Sequence, residues 1–209
     1  MVHSAGILHH IVIMKKELKI IIKKKHIIEA LKHCLEKNVY SQISLEDVAK
    51  EAGLSKGGLR HYFPTREMLY VALIENFFNQ IQRDQIEVIQ GLDLDMKDRA
   101  FITTLFGIER FLLDRKNMRI LINIILYGFE DEKIREIIKQ FIRNHLNLYV
   151  GTIKDLKAGQ GADDTDDQFI GRITQTILLF AGILEYIDPT DMDTPKLIEF
   201  IFKLYKHEP

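Results

Sequence analysis

The sequence has 209 residues, 46% hydrophobic and 28% charged, with no tryptophan and a formal net charge of −1. That is ample for a buried core and fits one small and one larger domain in a soluble protein. The single cysteine, Cys34, excludes an intrachain disulfide, agrees with a reducing cytoplasm and reads as a small core residue between Leu31 and Leu35. Charge is divided along the chain. Residues 1–66 hold twelve Lys and Arg against six Asp and Glu, and the remainder seventeen against twenty-four. Such a split places attraction for phosphate at the N-terminal end and makes the rest mildly averse to it.

Residues 1–14, MVHSAGILHHIVIM, are apolar but lack a basic leader region and are shorter than the roughly 20 residues of a membrane span, so no signal peptide or anchor is expected. His3, His9 and His10 have no Cys or carboxylate beside them to complete a metal site. Met14 could be the natural start, with the preceding residues an upstream extension. Lys15, Lys16, Lys19, Lys23, Lys24 and Lys25 then form either a basic arm reaching phosphates or the minor groove, or a solvated flexible tail. The spacing of Ile28, Ala30, Leu31 and Leu35 predicts the first helix of the domain.

The stretch Leu45 to Phe63, LEDVAKEAGLSKGGLRHYF, predicts two short helices set at an angle. Leu45, Val48, Ala49 and Ala52 recur at helical spacing behind a Ser44 cap, and Gly53 supplies the positive φ of a tight exit. Leu54 plugs the turn, Ser55 caps a second helix, and Pro64 ends it by forcing Phe63 out of the α region. Val48, Leu54, Leu59 and Phe63 face inward. The outward face, Lys56, Arg60, His61 and Tyr62 with Gly57 and Gly58 between them, is rich in donors and almost free of carboxylate. Arg can bind guanine O6 and N7, while Lys and Tyr donate to phosphate. Each glycine costs roughly 1 kcal/mol of helix propensity, which a close approach to a sugar-phosphate backbone would offset. This is helix-turn-helix architecture.

With Ile43-Ser44-Leu45-Glu46-Asp47-Val48-Ala49, Ala52-Gly53-Leu54-Ser55-Lys56-Gly57, Leu59 and His61-Tyr62-Phe63-Pro64-Thr65-Arg66-Glu67, the run from about Lys25 to Ala72 resembles the DNA-binding domain of tetracycline-repressor (TetR) family regulators. Gly58 and Arg60 depart from the residues frequent there, so no operator transfers from a relative. The candidate DNA-binding residues are Ser44, Ser55, Lys56, Gly57, Gly58, Arg60, His61, Tyr62, Thr65 and Arg66. Arg60 is assigned to base readout, and Lys56, Tyr62 and Arg66 chiefly to phosphate.

From Thr65 onward the pattern is helical throughout: about 65–90, 96–113, 116–127, 132–156, 165–187 and 194–207, with turns at Gly91–Asp95, Gly128–Asp131 and Lys157–Asp164. Thr194 is expected as the cap of the last helix, with Pro195 at its first position. The predicted fold is all-α, about nine helices, with a DNA-binding domain over 1–66 and a bundle over 67–209. The helix around Ile177, Phe180, Ala181 and Leu184 is apolar on two faces, and with Ile198, Phe202 and Tyr205 it is expected to form a four-helix homodimer interface. The resemblance implies a small-molecule effector bound in the bundle. Phe101, Leu105, Glu109, Tyr127, Phe141, His145, Tyr149, Thr174 and Leu178 are its candidate lining, weakly favouring a lipophilic molecule.

No phosphate-binding glycine loop or H-E-x-x-H is present, so an enzyme is not expected, nor a cofactor. Asp163, Asp164, Asp166 and Asp167 read as helix N-terminal charges rather than a cation site. The expected function is a cytoplasmic, ligand-responsive regulator without a membrane partner. It would bind a palindromic double-stranded operator as a dimer, chiefly to repress. A structural DNA-binding factor without an effector, or an activator, are the alternatives.

Overall fold

The computed structural model describes residues 2–90, 114–157 and 164–206, all of them helical apart from one 3₁₀ turn, caps and short connections, with no strand among them. Two compact units divide the chain, Met1–Glu75 and Asn76–Pro209. The small unit holds α1 (Val2–Lys37), a 3₁₀ turn (Tyr40–Gln42), α2 (Leu45–Glu51), α3 (Lys56–Tyr62) and the first turns of α4 (Arg66–Gln90). The division falls inside α4, beyond the sequence-expected break at residue 66, because Leu69, Tyr70, Leu73 and Ile74 are all buried.

No glycine or proline stands between Gly6 and Gly53, and α1 accordingly runs unbroken from the basic arm into the domain. The six lysines of that segment lie within this helix. Within the domain Ile27, Ile28, Leu31 and Leu35 are buried against α2 and α3. The His26 ring Nε2 lies 3.0 Å from the Ala52 carbonyl and, facing an acceptor, donates to it. Cys34 is buried, and desolvation pushes its thiol pKa up.

In the large unit, α5 (Arg115–Glu130), α6 (Glu132–Leu156), α7 (Asp164–Ile187) and α8 (Thr194–Lys206) follow the far end of α4. The predicted helix 96–113 lies outside the described residues, as does most of the predicted 157–164 loop. Two signals had a different cause from the one expected. Gly128 does not turn the chain: it lies inside α5, where a Cβ would meet Ile138 Cδ1 at 2.5 Å. It permits a close helix crossing. The turn is Asp131 alone, whose carboxylate accepts from the Ile134 N–H at 3.0 Å, while Arg135 donates to the Gly128 and Phe129 carbonyls at 3.0 and 3.1 Å. Nor is Thr194 the cap of α8. Asp193 accepts from the Lys196 N–H at 3.1 Å, and Thr194 begins the helix, buried.

The core of the bundle joins Ile153 of α6, Ile170 and Leu178 of α7, and Ile198, Ile201, Phe202 and Tyr205 of α8. Ile198, Phe202 and Tyr205, expected at a dimer interface, are buried in this core, and Leu178, expected in an effector lining, packs among them. The face of α8 that remains exposed carries Phe200 instead.

An ion pair is buried in the bundle: Lys157 Nζ lies 2.7 Å from Asp167 Oδ1, the carboxylate fully shielded from solvent. Asp167, expected as a helix-end charge, is thereby a core residue of α7. Removing one partner strands a buried charge. Lys157→Met should cost about 3–5 kcal/mol in urea unfolding, and Lys157→Met with Asp167→Leu should recover most of it; equal loss in single and double variants would contradict the pairing.

Candidate nucleic-acid interface

The α2–α3 pair is fixed by two caps and one turn. The Ser44 hydroxyl accepts from the Asp47 N–H at 3.2 Å, and the Asp47 carboxylate accepts from the Ser44 N–H at 2.8 Å, closing a capping box at the start of α2. The Ser44 hydroxyl holds the Asp47 carboxyl below the usual aspartate range. At the other end Gly53 has φ +63°, the left-handed conformation expected of it, and the Leu54 N–H returns to the Ala49 carbonyl at 2.8 Å. The chain leaves this turn into Ser55, whose hydroxyl accepts from the Gly58 N–H at 3.0 Å and starts α3. Val48, Ala49, Leu59 and Phe63 are buried beneath, with Leu54 half-buried at the turn.

What α3 leaves outside is Lys56, Gly57, Arg60 and His61, with Tyr62 half-buried and set edge-on to the His61 ring at 5.1 Å. Glu46 of α2 meets Lys56 of this face at 3.2 Å in an exposed ion pair. The two glycines differ. A Cβ on Gly58 would press on the Ser55 hydroxyl at 3.2 Å, so the cap itself favours glycine there, whereas a Cβ on Gly57 would stand in open space. Thr65 accepts from the Met68 N–H at 3.1 Å and caps α4.

Arg66, assigned to phosphate from the sequence, has a structural engagement. Its guanidinium donates to the Tyr40 carbonyl and lies 5.1 Å from the Tyr70 ring centre and 5.9 Å from that of Tyr40. The Tyr70 hydroxyl donates to the same carbonyl at 3.2 Å. Together these clamp α4 to the 3₁₀ turn. The clamp escaped sequence reading because Tyr40 lies 26 residues ahead of Arg66, beyond any local periodicity.

Residues 27–73 match the family model described as bacterial regulatory proteins, tetR family. The small unit is a TetR-family DNA-binding domain. Solved structures share the fold over most of the chain's length. A transcriptional regulator from Pseudomonas aeruginosa PAO1 has a TM-score of 0.77 at 17% identity over 88% of each chain. A TetR transcription regulator from Haloarcula marismortui has a TM-score of 0.73 at 14% identity, covering 88% of this chain and 97% of its own. A regulator from Saccharomonospora viridis solved with choline has a TM-score of 0.72 at 15% identity, covering 88% and 96%. No curated protein matches the chain.

In the bundle, Phe101, Leu105 and Glu109 of the candidate effector lining lie outside the described residues. The others fall into separate groups. Phe141 stacks on Phe78, ring centres 3.5 Å apart and planes within 8°, and the His145 ring sits 4.0 Å from Phe141. One turn on, burial pushes the Tyr149 phenol pKa up, and burial likewise raises that of Tyr205 to about 12, against the pull of the Thr174 hydroxyl. Thr174 is fully buried on the core stripe of α7, and Tyr127 is half-buried on α5. Phe78 was legible only as part of the α4 stripe.

Of the candidate dimer residues, Phe180 and Leu184 are exposed and Ile177 and Ala181 half-buried, and Ile187 extends the same open stripe of α7. By length and composition the segment Asp166–Ile187 would also suffice to cross a membrane; one of its apolar stripes is the bundle core just described. Among the described residues no three His, Cys, Asp or Glu side chains converge as metal ligands would.

Gly53→Ala should cost about 1–2 kcal/mol by chemical denaturation, since φ +63° strains any Cβ although no neighbour blocks it. His145 gives a pH signature. Burial holds its pKa below the ordinary histidine value, partly opposed by its contact with the Phe141 carbonyl, 3.3 Å from Nδ1. A depressed folded value means that His145 stabilises the fold fully above about pH 6.5 and loses that contribution as pH falls toward the folded value. Stability measured from pH 7.5 to 5 should therefore decline less in His145→Phe than in the parent; parallel curves would refute it.

Proposed function

We propose that the chain is a dimeric repressor that binds a twofold-symmetric operator through α3 and leaves it when a small organic molecule occupies the bundle. The observation that carries the DNA half is the capped, donor-rich outer face of α3, with open space over Gly57 where a sugar-phosphate backbone can approach. Arg60, exposed beside it, is the base reader, with Lys56 and Tyr62 on phosphate. Arg66 is left out of the contact set because its guanidinium holds the Tyr40 carbonyl.

The dimer half rests on the open stripe of α7, Phe180, Leu184 and Ile187, joined by Phe200 of α8. Large apolar side chains aligned on one helix face favour burial against a second copy. Two copies would read half-sites about 34–36 Å apart or a multiple of that. The effector half rests on the aromatic group Phe78, Phe141 and His145 and on the solved Saccharomonospora viridis relative, which holds choline. A mostly apolar organic ligand fits these side chains.

Selection from random duplex DNA by the purified protein should return a palindrome with half-sites an integral number of turns apart. Arg60→Ala should then lose about 1–3 kcal/mol on that site and relax one base position, whereas Lys56→Ala should weaken selected and random duplexes alike. Retention of no preferred sequence would overturn the operator reading.

A further inference from the structure

The outer turns of α1 stand beyond the core of the small unit with their apolar side chains uncovered. Met14, Leu18, Ile21 and Ile22, on one face by their spacing, are 55, 56, 56 and 58% exposed. Lys15, Lys16 and Lys19, all exposed, lie along the flank of that row. Ile13 and Ile20 form a shorter row at 41 and 37%. Between residues 13 and 25 the chain carries six lysines and one glutamate.

We propose that this segment is a docking helix for an anionic lipid bilayer surface. Charge complementarity decides among occupants. A second copy of the segment would bring five net positive charges against five in a shared apolar seam. DNA would take the lysines but leave four large aliphatic side chains in water. An anionic bilayer meets both requirements, with the aliphatic row sinking below the headgroups while the lysine stems reach up to phosphate. The proposal rests on residues 13–25 alone and is independent of the operator reading.

The test is co-sedimentation of the full-length protein with vesicles of phosphatidylglycerol and phosphatidylethanolamine, and with vesicles of phosphatidylcholine alone. Retention is expected on the anionic vesicles only. Lys16→Gln with Lys19→Gln should weaken it by about 25-fold, about fivefold for each lysine. Leu18→Asp with Ile22→Asp should abolish it while leaving the circular-dichroism melting curve and binding to the selected duplex unchanged, since both positions are exposed and precede the domain core. Absence of retention, or retention unaffected by the aspartates, overturns the proposal. A loss of duplex affinity in the aspartate variant would assign the row to DNA instead. A lower molecular mass of the aspartate variant than of the parent in vesicle-free solution would overturn the proposal and assign the row to a second copy.

Discussion

The placement of the reading helix depends on how the backbone passes from Ala52 to Ser55. Gly53 in the left-handed region reverses the chain within one residue, and the Leu54 N–H pinned to the Ala49 carbonyl fixes the direction in which it emerges. The Ser55 cap then satisfies an N–H that would otherwise be an orphan at the start of a helix of seven residues. So short a helix has little stability of its own. Its orientation is borrowed from the turn behind it and from Leu59 and Phe63 below it, and Arg60 and Lys56 point where these put them.

Much of this was legible because the determinants are local. Ser44, Gly53, Ser55 and Pro64 act within four residues of themselves, and each acts as the sequence implies. Elsewhere the same residue types carried more than one meaning. Gly128 reads as a turn but serves a helix crossing, since glycine signals either, and only the neighbour, Ile138, tells which. Asp193 and Thr194 are both good caps, and one residue of register separates the expected choice from the observed one. Arg66 looked like a phosphate ligand because a cation after the reading helix has no local partner; its partner is the carbonyl of Tyr40.

Periodicity also shows stripes without showing what covers them. α7 was read as apolar on two faces and is so, one closing on Thr174 and Leu178 and the other bearing Phe180 and Leu184. α8 was read as supplying Ile198, Phe202 and Tyr205 to a second subunit, yet those residues fill the bundle's own core. Nothing in a helical period distinguishes an internal partner from an external one. Asp167 was hidden for a related reason: in a run of aspartates before a helix, the one that turns inward is chosen by Lys157, on another helix end.

The exposed pairing of Lys56 with Glu46 bears on how the domain holds a polyanion. A lysine that meets phosphate from water displaces a condensed cation from the duplex, and each such contact steepens the fall of affinity with added salt. Lys56 approaches already neutralised by a carboxylate 3.2 Å away. When phosphate replaces Glu46, one cation leaves the duplex, but a carboxylate is freed that gathers counterions of its own. On the proposed phosphate contact, the net ion release at this position is therefore smaller than at an unpaired lysine, and the contribution of Lys56 to the salt sensitivity of binding is smaller accordingly.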